Sequence, residues 1–385
     1  MARSGLAPLY TAAFLAYTSY AICRTPLLPL FAQELGAGPT IVGLVVGSST
    51  ITGILVKMPA GALSDVLGRQ RLLMAGALVF ALAPFTYLGA ASLAMLIALR
   101  VIHGNATAVF GPVASSAVSH LAPPAERGRW LSAYASVQGT GQALGPLIAG
   151  YLIATGGYDL AFIASGLIGV GAALALAGWS LEDPVPPTAA RWSSFTTGLR
   201  EVLGHRLVLL TSAAHAAQFV MNGSLSAFLP LYGRDVIGLT TPQLGWLFAA
   251  QTITTLAVRP LVGIASDRLG RRGAIVAGLA TSSVALWSLT ASQGPWLLAG
   301  AVMVYAAGVA ATTAATSAFI TDITRRARYG AAHGVFGTIY DVGDALGPIV
   351  AGLLVATLDY AWMFRVMGLV GIAAAAVFAR ASADA

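Results

Sequence analysis

The sequence predicts an all-α membrane protein: twelve transmembrane helices arranged as two pseudo-symmetric six-helix bundles. Three observations carry this. Of 385 residues, 57% are hydrophobic and only 9% charged, and the mean hydropathy is +0.80, too apolar for a water-soluble domain. Charges are absent from runs of about 20 residues and then return in short clusters, the length a helix needs to cross about 30 Å of hydrocarbon. Finally, the second half of the chain repeats the first. Strands of a membrane barrel would alternate polar and apolar residues, and these runs do not.

Hydropathy, bounded by Gly/Pro and charge clusters, places the spans near 6–29, 40–62, 72–90, 93–119, 130–153 and 159–181, then 207–231, 241–263, 273–291, 295–319, 331–355 and 360–379. The first opens MARSGLAPLYTAAFLAYTSYAIC, one Arg before an apolar run, which resembles a secretory leader. The run continues into RTPLLPLF, so it reads as a spanning helix. The one long polar interruption, LEDPVPPTAARWSSFTTGLREVLGHR, divides the chain into a bundle over 1–181, a cytoplasmic linker over 182–206 and a bundle over 207–385.

Shifting one half by 202 residues superimposes Lys57 on Arg259, Gly61 on Gly263, Asp65 on Asp267, Gly68 on Gly270 and Arg69 on Arg271. The same shift superimposes Gly141 on Gly343, Gly145 on Gly347, Pro146 on Pro348 and Gly150 on Gly352. One ungapped register over this distance is a true internal repeat. Six spans per unit is an even number, so both halves enter the membrane in the same orientation. A parallel repeat of this kind places a site between the halves near the midplane and predicts a rocking transporter.

With both termini cytoplasmic, fifteen of the 21 basic residues fall in inner segments, among them Arg69, Arg71, Arg268, Arg271, Arg272 and Arg380, while the outer loops hold only Arg234. The net charge of +7 is then topological. It calls for no nucleic-acid partner. Cys23 is the single cysteine, which excludes an internal disulfide and a cysteine-based metal cluster. There is no nucleotide loop and no nucleophile with an evident base, so an enzyme is disfavoured and neither metal nor cofactor is expected. The expected partners are a small-molecule substrate, protons and the lipid bilayer, and the expected state is a monomer. The alanine- and arginine-rich composition points to a bacterial plasma (inner) membrane.

Two loops carry the same motif: GALSDVLGRQR at 61–71 and GIASDRLGRR at 263–272. A glycine-rich turn lets two helices approach, and an acid and basic cluster in one tight loop can pair with each other or with a helix end. These loops resemble the cytoplasmic signature loop of the major facilitator superfamily, and the resemblance extends over essentially the whole chain. It implies that family's fold, and it assigns to Asp65 or its repeat Asp267 a place in a cytoplasmic charge network that stabilises the outward-open state. Gly61, Gly68, Arg69, Arg71, Arg268, Gly270 and Arg271 complete the two loops. Val66 departs from the pattern, where the family has a basic residue and the repeat keeps Arg268. The first latch is therefore expected to be the weaker.

In span 4, RVIHGNATAVFGP holds Arg100 followed by Gly104. This resembles the family's fourth-helix motif, whose Arg is implicated in proton transfer. An intramembrane Arg costs about 3 kcal/mol on insertion scales, so it marks function unless it snorkels or pairs within its bundle. In span 5, GTGQALGPLIAG resembles the fifth-helix motif found mainly in antiporters, especially drug/proton antiporters. Gly141, Gly145 and Gly150 clear a groove for a close helix contact and Pro146 bends the helix. Generic small-residue packing is the alternative.

Span 11 repeats that segment as GTIYDVGDALGPI, with Asp344 where span 5 has Gln142. Counted from Ala331, Asp341 and Asp344 lie about 15 and 20 Å deep, and at i and i+3 they face the same way. Two desolvated carboxylates this close do not both ionise easily and should titrate as a unit, which suits a reversible proton carrier. The resemblance puts span 11 beside Lys57 of span 2 and near Arg100. Release of such an ion pair on protonation would couple protons to transport; the alternative is a static pair holding the halves together. Many drug/proton antiporters also carry an acid in span 1, and this chain does not.

The resemblance further implies that spans 1, 4, 7 and 10 line a central cavity. Span 1 offers Tyr10, Tyr17, Tyr20 and Arg24 on one face, span 4 His103 and Asn105, and span 7 a stripe of Thr211, His215, Gln218 and Asn222 at helical spacing. Gln142, Gln251, Tyr305 and Tyr340 complete the set expected to contact substrate. Such side chains also serve as interhelical glue. Aromatic walls favour amphiphilic organic molecules, whereas Arg24, Lys57 and Arg100 would welcome an anion. Proton-coupled efflux of small organic compounds is the main expectation, with proton-coupled uptake or uniport of an organic anion as the second. A non-transporting receptor or a lipid flippase on the same scaffold is the reading from another class.

Overall fold

The computed structural model describes residues 2–181, 204–324 and 329–383, without the side chains of 2–5, 57–67, 269, 329–331 and 383. The side chains of Lys57, Gly61 and Asp65, most of the linker, and Arg325, Arg326 and Arg328 therefore lie outside the described residues. Twelve α-helices are described: α1 (Ala2–Arg24), α2 (Leu27–Glu34), α3 (Pro39–Leu67), α4 (Arg69–Thr86), α5 (Leu93–Leu121), α6 (Arg127–Ala177), α7 (Arg206–Asp235), α8 (Thr241–Leu269), α9 (Arg271–Leu289), α10 (Pro295–Ile323), α11 (Tyr329–Thr357) and α12 (Tyr360–Ala383).

Helices and spans do not map one to one. Span 1 is α1 followed by α2. Spans 5 and 6 form the 51-residue α6, broken by non-helical backbone at Gly156 and Gly157. At 1.5 Å per residue that helix would run about 75 Å, more than two membrane thicknesses, so it holds two crossings joined at the glycine pair. Ten stretches of the described residues are long and apolar enough to cross a membrane, and the stretch Pro124–Ala177 counts once among them. The 30-residue α7 is not among the ten, because its polar stripe lowers its hydropathy. Adding α7 and the second crossing of α6 gives twelve.

The chain forms two compact units: Met1–Ala37, Ser48–Pro187 and Leu239–Ala249 in one, and Gly38–Gly47, Thr188–Gly238 and Ala250–Ala385 in the other. Thus the opening of α3 belongs with the second unit and the opening of α8 with the first. Glycines make these contacts close. A Cβ at Gly43 would collide with the Pro348 backbone of α11, and one at Gly245 with the Pro146 backbone of α6. Gly43 and Gly245 are themselves 202 apart, the repeat register.

The same device holds each unit's centre. In the first, α6 lies on α1, with Gly141 against Phe14 and Thr18 and Gly145 against Ala21 and Ile22. In the second, α11 lies on α7, with Gly343 against Ala216 and Gly347 against Val220. Small residues let helix backbones touch, which in lipid is the main source of helix association because no hydrophobic drive exists between apolar surfaces. Around the first contact, Leu9, Ala13, Tyr17, Phe80, Phe110 and Ala172 form a buried core.

Candidate functional site

In the first unit a polar cluster forms around Arg100 on α5. Its side chain is 0% exposed. Nη2 donates to Ser49 Oγ at 2.8 Å, and the guanidinium carbon lies 5.7 Å from the Tyr20 ring centroid. Nε and Nη1 have no hydrogen-bond partner among the described residues, and no carboxylate of this unit pairs with Arg100 among them. One turn on, His103 Nδ1 meets the Tyr87 hydroxyl at 3.1 Å and packs edge-on to Tyr20 at 5.2 Å. His103 Nε2 and Asn105 Oδ1 are buried and lack partners among the described residues. Gly104 is what brings α5 here, since a Cβ would strike Ser49.

The tyrosines of α1 do share a face, and that face is inside the unit. Tyr17 packs on Phe80 and Phe110, Tyr20 on Phe80 and His103, and Tyr10 donates to the Trp130 carbonyl at 2.7 Å. Arg24 is half-buried, and Gln142 is exposed on α6.

In the second unit the polar stripe of α7 faces α9 and α10. Gln218 is fully buried and its amide is occupied: Nε2 donates to the Tyr305 hydroxyl at 3.3 Å, while Oε1 accepts from Ser282 at 3.0 Å and Thr312 at 3.1 Å. Gln218 thereby clips three helices together. Thr211 bonds its own helix at Leu207, and His215 Nδ1 meets Thr316 Oγ1 at 2.7 Å. Phe219, Phe336 and Tyr340 surround the His215 ring at 4.9, 4.4 and 5.2 Å. Phe219, Tyr340 and Asn222 are half-buried, as is Gln251 on α8.

Asp341 and Asp344 on α11 are 5% and 9% exposed. The helix that carries them is pressed onto α7, with the Asp344 backbone against Gly223 and the Ser224 hydroxyl donating to the Gly347 carbonyl at 2.9 Å. Repeat symmetry is broken here: the carboxylate position of α11 is buried, and its counterpart Gln142 on α6 is exposed.

At the loops, Gly68 and Gly270 adopt φ/ψ of 86/141° and 94/138° and precede α4 and α9. Only glycine occupies that region readily. In the second loop Arg271 pairs with Asp267 at 2.5 Å and with Asp322 of α10 at 3.0 Å, and donates to Ser266 at 2.8 Å. In the first, Arg69 donates to Ser116 of α5 at 2.9 Å. Arg71 and Arg268 are exposed. Gly270→Ala is expected to cost about 1–3 kcal/mol, read as a lower midpoint in a thermal unfolding assay. Gly263→Ala, where a Cβ meets nothing within 4 Å, is the control.

A sequence model of the Major Facilitator Superfamily matches residues 9–244 and 236–384. The chain belongs to the major facilitator superfamily. Members of the superfamily are transporters, which places the chain among multi-pass membrane carriers of small molecules and outside the enzymes. An uncharacterized MFS-type transporter of Methanocaldococcus jannaschii is 26% identical over 350 residues, 88% of each chain. Quinolone resistance protein NorA of Staphylococcus aureus is 22% identical over 337 residues, 86% of this chain and 84% of that one. Multidrug resistance protein MdtH of Aeromonas hydrophila is 28% identical over 240 residues, 60% and 58% of the two. Among solved structures, a bacterial homolog of the human lysosomal transporter Spinster, inward-facing and occupied, superimposes with a TM-score of 0.82 at 17% identity, covering 97% of this chain and 95% of that one. The nucleoside transporter NupG gives 0.80 at 15% identity, with 96% and 98% covered. These likenesses establish the superfamily's fold.

Several residues of these clusters escape sequence reading. Ser49, Tyr87, Phe219, Phe336, Thr312 and Ser282 are ordinary residues of apolar spans until the fold assembles them. Gly43 and Gly245 were findable, since both are glycine in the 202 register.

Proposed function

We propose that the protein is a proton-coupled antiporter that expels small organic or amphiphilic compounds by alternating access, with Asp341 and Asp344 as its proton carrier. The observation that carries this reading is the burial of both carboxylates on α11, at 5% and 9% exposure and three residues apart. Carboxylates within a span are costly and face protein rather than lipid, and two of them three residues apart offer neighbouring acceptor sites for a proton. The fifth-helix motif of α6 and the relatives named for multidrug and quinolone resistance support efflux. Phe219, Tyr340 and Asn222 supply half-buried aromatic and amide surface beside α11 for an amphiphilic substrate.

A second reading, uptake of an organic anion, rests on Arg100. Two of its nitrogens lack partners among the described residues, and an anionic substrate group would satisfy them.

The test is reconstitution in liposomes loaded with a pH-sensitive dye under an inward-acidic gradient, challenged with cationic, neutral and anionic compounds. For antiport, a transported compound speeds proton exit, and Asp341→Asn or Asp344→Asn lowers that response at least tenfold. If wild-type proton flux ignores every compound while substrate still equilibrates, the carboxylates are structural and the protein is a uniporter. Coupled inward movement of an anion, lost in Arg100→Met, would establish the second reading instead.

A further inference from the structure

In the second unit, a groove of about 400 Å³ lies between the start of α9 and the end of α12, lined by Arg272, Gly273, Val276, Ala277, Ala379 and Ser382. Apart from the arginine and the serine its walls are apolar, and Ser382 turns its hydroxyl to its own helix at Ala379. Gly273, Ala277 and Ala379 are exposed and small, which is what leaves the groove open.

The repeat shows what this place looks like when the chain fills it. Gln70 stands 202 residues before Arg272. In the first unit Gln70 closes the corresponding corner: its amide donates to the Trp179 carbonyl, and its Oε1 accepts from the Leu181 backbone at 3.1 Å. Trp179 and Leu181 are buried there. In the second unit the positions corresponding to Trp179 and Leu181 are Ala381 and Ala383. There α12 continues as helix through these positions, whereas α6 ends at Ala177, and Arg272 stands where Gln70 makes its bonds.

The two arginines that start α9 also differ in what they hold. Arg271 is engaged by Asp267 and Asp322. Arg272 has no carboxylate partner among the described residues, and its guanidinium carbon lies 5.9 Å from the Phe319 ring centroid. A cation stacked on an aromatic ring keeps its N–H groups available at the ring's edge. Arg272 therefore sits as a charged head at one end of an apolar slot, on the side of the bundle that bears the arginine-rich loops. A phospholipid has the matching layout: an anionic phosphate at the membrane surface and an acyl chain running inward along the helices.

We propose that this groove is a site for an anionic phospholipid of the leaflet facing the arginine-rich loops, with Arg272 holding the headgroup phosphate and the Gly273–Ala277–Ala379 face seating an acyl chain. It bridges the first turn of α9 to the last turns of α12. The lipid does there what Gln70, Trp179 and Leu181 do in the first unit.

Native mass spectrometry of the full-length protein, titrated in mild detergent with phosphatidylglycerol or phosphatidylcholine, tests this. Wild type should bind phosphatidylglycerol in preference to phosphatidylcholine. A basic residue near the membrane surface contributes about 1 kcal/mol to anionic-lipid attraction, so Arg272→Gln should reduce that preference about fivefold. Arg272→Lys should restore most of it, which separates charge from misfolding. Ala379→Leu, which fills the slot, should weaken binding of both lipids. Equal binding of phosphatidylglycerol by wild type and Arg272→Gln, with Ala379→Leu silent, would overturn the proposal. So would dimers in the same spectra that Ala379→Leu removes, because the groove would then seat a second copy of the chain.

Discussion

Leucine at Gly347 is expected to strip the membrane of most folded protein. Gly347 is where α11 touches the Val220 backbone of α7, and a Cβ there would lie under 3.0 Å from a carbonyl oxygen that belongs to a helix and cannot rotate away. Overpacking a close contact costs about 1–3 kcal/mol for a methyl-sized addition, and more for leucine. The helices would separate along their length, also breaking the Ser224 bond to the Gly347 carbonyl. Fluorescence-detected size exclusion should show a loss of the monodisperse peak for Gly347→Leu, and Gly347→Ala should lower the melting temperature clearly. At Gly300 a Cβ meets nothing within 4 Å, so Gly300→Ala should be neutral or slightly stabilising. A Gly347→Leu protein that melts like wild type would show that the α7–α11 contact is loose.

Arg100→Met is expected to leave the fold intact and, if Arg100 receives an anionic substrate group, to abolish transport. The energetics decide this. An arginine deep in a span costs about 3 kcal/mol. Against that stand one hydrogen bond to Ser49, about 1–2 kcal/mol, and the Tyr20 contact, of similar size when desolvated. The terms nearly cancel, so replacing the side chain by an apolar one of similar length should change stability by no more than about 1 kcal/mol. Breaking a buried ion pair would instead cost about 3–5 kcal/mol. A residue that contributes so little to the fold, yet leaves two buried nitrogens without hydrogen-bond partners among the described residues, is a candidate for function. The measurement pairs a thermal melt with substrate flux in liposomes. Unchanged melting with flux down at least tenfold supports the anion-binding reading of Arg100. A large drop in melting temperature would show that Arg100 is structural.

Much of this molecule is legible without coordinates, because hydropathy and helix-scale spacing are local properties. Lipid forces each span to satisfy its own backbone, so twelve apolar runs mean twelve crossings. The repeat predicts a shared backbone plan, and Gly68 and Gly270, with φ of 86° and 94°, adopt it. Asp341 and Asp344 could be recognised as exceptional because the rest of their helix matches span 5.

Partner choice is another matter. A polar stripe on α7 reads the same whether it faces a cavity or three neighbouring hydroxyls, and only assembled helices show Gln218 bonded to Tyr305, Ser282 and Thr312. The α1 tyrosines are likewise turned to Phe80 and Phe110 in their own bundle. The exchange of Gly38–Gly47 and Leu239–Ala249 between units depends on which glycines meet across long sequence distances. The open groove at Arg272 depends on the small residues Gly273, Ala277 and Ala379 meeting where α9 begins and α12 ends. Composition and period specify which segments enter the membrane, whereas the pairing of side chains is set by packing between helices far apart in sequence, where a missing methyl or a shared hydroxyl outweighs any local pattern.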